Sequence, residues 1–264
     1  MISPKMPTPK IVVIMPAYNA SKTLEQTVRE IPAGVVHECI VVDDFSADST
    51  VEVARKLGLR VFLHAENQGY GGNQKTCYVE ALKTGADIVV MLHPDYQYDP
   101  KKIPELVQPI VEGRADCVLG SRMAYAVAGG MPFYKRLSNR FLTWCENKIF
   151  KLKLSEYHTG FRAFRRSLLE TAPFLLNSND FIFDQEIVAQ AVWFGARFEE
   201  ISVPHRYFPE ASTIGFGRSL RYGFGVLVLL ATFFLNRKGL MTSRMFRPMH
   251  HAYTEVVTAA AQGS

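Results

Sequence analysis

Only four cysteines occur in the 264 residues, Cys39, Cys77, Cys117 and Cys145, and no two of them form a Cys-x-x-Cys pair. Their scatter excludes a zinc ribbon and a dithiol redox motif, and predicts reduced, mostly buried thiols in a cytosolic protein. No Gly-x-Gly-x-x-Gly follows the first apolar run, and no Gly-x-x-x-x-Gly-Lys-Ser/Thr occurs anywhere. That removes the dinucleotide fingerprint and the P-loop. Met1 to Lys10 has three prolines and no apolar core, so it predicts a flexible leader (residues 1–9) and not a secretory signal. The longest apolar stretch, Tyr222 to Leu235, falls short of the roughly 20 residues a spanning helix needs, which predicts a soluble or peripheral protein. Acidic residues are missing between Ala211 and Thr254, where Arg218, Arg221, Arg237, Lys238, Arg244 and Arg247 flank that apolar run. A basic, apolar helix of this kind suits an anionic membrane surface, here through residues 218–247, or a core helix with solvated ends.

What is present is a globular composition, 48% hydrophobic and 21% charged, with a net charge of +5. Apolar, β-branched runs alternate with helical patterns: strands at Ile11–Met15, Cys39–Val42, Arg60–Leu63, Asp87–Leu92 and Asp116–Leu119, then Gly160–Phe164 and Arg197–Val203. Helices are expected from Ser21 as N-cap to Ile31, from Asp48 or Ser49 to Leu57, and after a Gly-rich loop (Asn67–Asn73) to Lys83. Further helices are expected at Lys101–Glu112, Pro132–Phe150 and Asp184–Phe194. This alternation specifies an α/β fold, a mostly parallel sheet with helices on both faces. The expected organisation is one catalytic domain over residues 10–212 and a basic, apolar helical appendage over 213–264.

The segment Val89 to Pro100 carries the strongest chemical signal. An apolar strand ends in His93-Pro94-Asp95, placing a carboxylate at the rim where open α/β sheets bind ligands, and a carboxylate there can hold a hard cation against a diphosphate. The first strand ends in Pro16-Ala17-Tyr18-Asn19 and the second in Asp43-Asp44, so in a parallel sheet all three turns share one rim. An aromatic for a base and carboxylates for base N–H or ribose hydroxyls make a nucleotide pocket.

These residues resemble the family 2 glycosyltransferases, whose GT-A fold is Rossmann-like and whose donors are nucleotide-diphosphate sugars. The resemblance rests on Pro16-Ala17-Tyr18-Asn19, Val41-Val42-Asp43-Asp44-x-Ser46-x-Asp48-x-Thr50, Asn67-x-Gly69-Tyr70-Gly71, Met91-Leu92-His93-Pro94-Asp95-x-Gln97, Gly120-Ser121-Arg122 and Thr159-Gly160-Phe161-Arg162-Ala163-Phe164, in family order across most of the chain. The dolichyl- and polyprenyl-phosphate sugar synthases are the branch it looks most like. The resemblance implies that Pro16, Ala17, Tyr18, Asn19, Gly71, His93 and Pro94 line the nucleotide and that Asp43 or Asp44, with Asp44 preferred, accepts from the base. It implies Mg²⁺ or Mn²⁺ on Asp95, Arg122 on phosphate, and Asp184, with Glu186 as the other candidate, as the acceptor-side carboxylate. Arg136, His158 and Arg162 are the candidate acceptor contacts.

His93 departs from the pattern, because the family writes Asp-x-Asp at this place. A neutral imidazole can donate to a ribose or ligate Mn²⁺, or the change can mark a degenerate, non-catalytic sugar-nucleotide module. Trp144 and Trp193, at helical spacing among apolar residues, are expected in the core. Lys135, Arg136 and Arg140 form a basic stripe that suits either an acceptor phosphate or solvent. His205-Arg206-Tyr207-Phe208 stands where processive relatives keep Gln-x-x-Arg-Trp, so a single transfer is expected. The expectation is therefore an inverting, non-processive, metal-assisted transferase acting on a UDP- or GDP-sugar and a lipid-phosphate or hydroxyl acceptor. It would work in the cytoplasm or at the inner face of the membrane, with no nucleic-acid partner and with dimerisation left open.

Overall fold

The computed structural model describes residues 8–206 and 216–248. Residues 1–7, most of the expected leader, and Tyr207 and Phe208 lie outside them. Seven strands form one sheet: β1 (Ile11–Ala17), β2 (Glu38–Asp43), β3 (Arg60–Leu63), β4 (Ile88–Met91), β5 (Cys117–Ser121), β6 (Arg162–Arg165) and β7 (Phe198–Ser202). Their order is β3-β2-β1-β4-β6-β5-β7. All neighbours run parallel except β6, which is antiparallel to both β4 and β5. Every strand expected from the sequence is present.

Helices cover both faces because each central strand is apolar on both sides. Successive residues point to opposite faces. Val12 and Ile14 therefore pack with Tyr78 and Leu82 of α3 (Gly69–Lys83) and Ile187 and Val188 of α7 (Phe183–Trp193). Val13 and Met15 pack with Leu24 of α1 (Leu24–Arg29), Ala54 of α2 (Thr50–Lys56) and Leu106 and Ile110 of α4 (Ile103–Val111). The short α6 (Arg166–Thr171) follows β6, and the long α5 (Phe133–Phe150) lies against α8 (Phe216–Arg237). All four cysteines are free thiols.

Four expectations change. Ser21 does not cap α1, whose N-cap is Thr23 without a side-chain bond. The Gly-rich segment is not a loop before α3 but its first turn, because Asp44 caps it from another strand, accepting from the Gln68 and Gly69 amides at 2.8 and 3.0 Å. Trp193 is partly buried and packs against the core at Phe233 and Phe246, but Trp144 is 58% exposed on the outer face of α5. Finally, α8 runs 22 residues, about 33 Å, so it is long and apolar enough to cross a membrane, which the apolar run alone did not reveal. One side of it is nevertheless committed to the domain, with Val226, Leu229, Leu230 and Phe233 buried in the core.

Candidate active site

The C-terminal ends of β1, β2 and β4 meet on one rim, and each turn there holds a non-glycine residue in the left-handed region: Asn19 at φ 51°, Phe45 at 65° and Tyr96 at 57°. Such backbone costs about 1–3 kcal/mol per residue and clusters where a ligand shapes the loop. Asn19 is locked to the second turn, its amide donating to Ser46 Oγ (2.8 Å) and its Oδ1 accepting from Ala47 (2.9 Å). The Tyr18 and Phe45 rings project from this rim, 57% and 60% exposed. Pro16 and Ala17 lie within β1, with Ala17 fully buried, so only their backbone can face a nucleotide. Pro94 is buried, its carbonyl accepting from Thr27 Oγ1.

The two adjacent aspartates differ. Asp44 is consumed internally, its carboxylate bound to His64 Nδ1 (2.7 Å) besides the two α3 amides. Asp43 accepts from the Ser46 amide at 2.9 Å through Oδ2, while its buried Oδ1 has no partner. The preference given to Asp44 therefore passes to Asp43, the one with an unmatched acceptor.

Beyond this rim lies a cavity of about 500 Å³ lined by His93, Asp95, Arg122, Lys135, His158, Tyr70, Asp184 and the α5 and α8 side chains. Asp95 Oδ1 accepts from the Gln97 amide (3.1 Å), and no basic side chain pairs with the group among the described residues. Burial raises its carboxyl pKa above the ordinary value, with His93 acting in the opposite direction. A half-buried acid that lines the cavity without a counter-ion among the described residues fits a divalent cation. No cluster of three or more His, Cys, Asp or Glu exists among the described residues, so protein ligands would be few, as is usual for cations shared with phosphates. Burial pushes the His93 imidazole below its usual pKa. Its ring sits against Gly160, where a Cβ would come within 2.6 Å of it, so only glycine fits there.

Tyr70, to which none of the motif arguments assigns a role, joins the two sides of the cavity. Its hydroxyl donates to Asp184 Oδ2 (2.7 Å) and meets His93 Nε2 (3.1 Å), and its ring stacks on His93. Asp184 also accepts from Gln74 Nε2 (2.9 Å) and pairs with Arg162 at 3.2 Å. The Asn67-x-Gly69-Tyr70-Gly71 motif was the available signal.

Several candidates lie elsewhere. Arg162 is fully buried, bonded to the carbonyls of Asp184 and Thr159, and it orients Asp184 from behind instead of touching an acceptor. Glu186 is not among the residues lining the cavity and accepts from the Ser178 amide at 2.6 Å, so of the two candidate carboxylates only Asp184 reaches it. Gly71 contacts no nucleotide rim; its amide donates to the Asn179 carbonyl (2.8 Å), and a Cβ there would fall 2.3 Å from the Ser178 carbonyl oxygen. Arg136 lies over the Phe133 ring, outside the cavity lining; Lys135, one residue away on the helix, lines it instead.

Arg122 does line the cavity, held by buried Glu156. That carboxylate accepts from the Arg122 amide (2.6 Å), its Nε (3.0 Å) and Nη2, and from Asn139 Nδ2 (2.8 Å). Burial works to raise the Glu156 pKa, but Arg122 and these bonds hold it below its usual value. His158 Nδ1 meets Tyr222 Oη of α8 (2.8 Å), and its Nε2 lies 3.2 Å from buried Glu146 of α5, whose pKa burial raises. Glu146 and Glu156 sit in stretches without a motif, and no sequence signal marked them.

The model of glycosyl transferase family 2 matches residues 12–172, more than half of the chain. The chain belongs to this family. The glycosyltransferase is 28% identical over 178 residues to the UDP-N-acetylglucosamine–dolichyl-phosphate N-acetylglucosaminyltransferase of Methanococcus voltae, covering 61% of this chain and 71% of that one. It is also 28% identical over 209 residues to the low-salt glycan biosynthesis hexosyltransferase Agl6 of Haloferax volcanii, covering 76% of this chain and 48% of that relative. The first of these relatives carries in its name the dolichyl-phosphate branch that the motifs resemble. Its fold matches a crystal structure of Mycobacterium tuberculosis glucosyl-3-phosphoglycerate synthase in complex with Mn²⁺, UDP and glucosyl-3-phosphoglycerate (TM-score 0.65, 20% identity, 89% of this chain and 82% of that one). The GT-A architecture expected from the sequence is the one observed.

Proposed function

We propose that the enzyme transfers a sugar from a UDP-sugar, with inversion, to the phosphate of a polyprenyl lipid held at a membrane surface. The observation that carries the lipid acceptor is the far wall of the cavity. It is built by Tyr134, Phe141 and Leu142 of α5 and Leu220, Phe224 and Leu227 of α8. From there it continues onto exposed apolar side chains: Phe133, Leu137 and Trp144 on α5, Val228 and Phe234 on α8 and Leu240 beyond it. Phe133, Leu137, Phe141 and Trp144 recur at helical spacing on one face, and water-exposed apolar stripes of this extent mark a lipid or protein contact. Arg140, Arg218, Arg221, Arg237 and Lys238 lie on the same two helices or just after them, as suits anionic headgroups.

On the donor side, Tyr18 packs on the base, the unmatched Asp43 Oδ1 accepts a base N–H, and the diphosphate reaches Asp95. The UDP-sugar in the name of the Methanococcus voltae relative and the UDP of the structural neighbour support uridine. Asp95, with His93 beside it, would hold Mg²⁺ or Mn²⁺, which supplies neutralisation of charge on the leaving diphosphate. Arg122 and Lys135 face the acceptor phosphate from the cavity wall. A phosphate oxygen forms the new bond to the anomeric carbon as the bond to UDP breaks and UDP leaves with the electron pair. The ionised phosphate has no proton to lose, so Asp184 orients the sugar and acceptor instead of acting as base.

Calorimetric titration with UDP and GDP, each with Mn²⁺, Mg²⁺ or EDTA, tests the donor half. Metal-dependent binding of UDP over GDP is expected. Absence of binding by either nucleotide in every condition would overturn the transferase site and favour a degenerate module.

A further inference from the structure

We infer that His93 is a nitrogen ligand for the donor-side cation and that Tyr70 fixes it in the tautomer able to ligate. The inference rests on the donor site proposed above and concerns the residue by which this chain departs from its family's acidic motif.

The hydrogen-bond chain decides the tautomer. Asp184 accepts from every neighbour that reaches it: Gln74 Nε2, the Arg162 guanidinium and the Tyr70 hydroxyl. Gln74 Nε2 and guanidinium N–H groups can only donate, so Asp184 acts as a pure acceptor and the single Tyr70 hydrogen is directed to it at 2.7 Å. The Tyr70 oxygen then has only lone pairs left for His93 Nε2, 3.1 Å away. In the neutral ring Nε2 must therefore carry the hydrogen, and Nδ1 carries the lone pair.

Position agrees with this. The Cδ2–Nε2 edge of the ring is taken up by Gly160 and Tyr70. The Nδ1 atom makes no hydrogen bond among the described residues, and the ring shares the cavity lining with Asp95 two residues on. Metal-bound histidines characteristically donate their second N–H to a carboxylate or to a group that relays one, which fixes the ring and raises its basicity. The His93–Tyr70–Asp184 chain has that form, with tyrosine as the relay. Replacing an acid by imidazole removes one negative charge and adds a softer ligand, which shifts preference from Mg²⁺ towards Mn²⁺. The same chain ties the acceptor-side carboxylate to the donor-side cation through one hydroxyl.

The test is pulsed electron paramagnetic resonance of the Mn²⁺–UDP complex of the full-length protein, prepared with natural-abundance or ¹⁵N-labelled histidine. The expected spectrum shows directly bonded nitrogen, changes with the label, and loses that coupling in His93→Asp while Mn²⁺ stays bound. His93→Asp is also expected to favour Mg²⁺ relative to Mn²⁺ in calorimetry. Tyr70→Phe should keep the nitrogen coupling but weaken Mn²⁺ retention by roughly tenfold, the usual cost of losing an outer-shell partner. Mn²⁺ bound with UDP but without histidine nitrogen would overturn the inference and leave the donor site standing. Mn²⁺ and UDP that do not bind at all would overturn both.

Discussion

Replacing Leu137 and Trp144 together by serine removes two apolar side chains from the outer face of α5 without touching the cavity lining. They stand seven residues apart on one helical face and are 60% and 58% exposed. Fully burying side chains of this size is worth about 1.5–3 kcal/mol each, so inserting the exposed half into a bilayer interface contributes roughly 1–1.5 kcal/mol per residue. Their joint loss of about 2–3 kcal/mol corresponds to a roughly 30- to 150-fold weaker partition into vesicles at tenfold per 1.4 kcal/mol. Flotation with anionic vesicles at low salt measures it, with Val111→Ser on α4, across the sheet, as the control. UDP affinity should be unchanged in both variants, because neither touches the nucleotide rim. A partition coefficient within threefold of the wild type would refute the assignment of this face to lipid.

Other outcomes follow from the same geometry. Asp184→Asn should lower kcat by less than tenfold with a phosphate acceptor, whereas removal of a true general base costs on the order of 10²–10⁴-fold; steady-state kinetics separates the two. Asp43→Asn should weaken UDP binding by about tenfold, the loss of one hydrogen bond to a charged group, with the melting temperature nearly unchanged. Asp44→Asn should do the reverse, destabilising the fold by about 1–2 kcal/mol through lost capping of α3, readable in urea unfolding. Glu156 has a folded pKa held below its unfolded value, so its stabilisation is complete above the unfolded pKa of about 4.3 and is lost as pH falls through the folded value. Glu156→Gln should therefore flatten the acid limb of a stability–pH curve and loosen Arg122, seen as a raised KM for the acceptor.

The rim was legible because it is local. A strand that ends in polar residues announces itself by the break in apolar pattern, and parallel strands bring such ends together whatever lies between them. That is why the turns bearing Tyr18, Asp43, Asp44 and Asp95 share one rim, and why Arg122 and Asp184 line the cavity beside it. What was not legible depends on partners distant in sequence. Asp43 and Asp44 are neighbours in the chain, and only the approach of His64 and the α3 amides separates their roles. Glu186 and Arg136 are each one or two helical positions from a lining residue, a rotation that periodicity in a mixed segment does not resolve. Trp144 is exposed against expectation because an apolar stripe looks the same in sequence whether it faces the core or the surface. The full extent of α8 is not legible in its apolar run because Arg218, Ser219 and Arg221 interrupt its first two turns and that run starts only at Tyr222.

The most direct measurement is transfer of radiolabelled sugar from UDP-glucose, UDP-galactose or UDP-N-acetylglucosamine to polyprenyl phosphate in anionic vesicles with Mn²⁺, followed by solvent extraction. The expected result is a lipid-extractable product from one of these donors, formed with stoichiometric release of UDP and suppressed by EDTA. UDP-sugar turnover onto a water-soluble hydroxyl acceptor, with no label in the lipid phase, would contradict it.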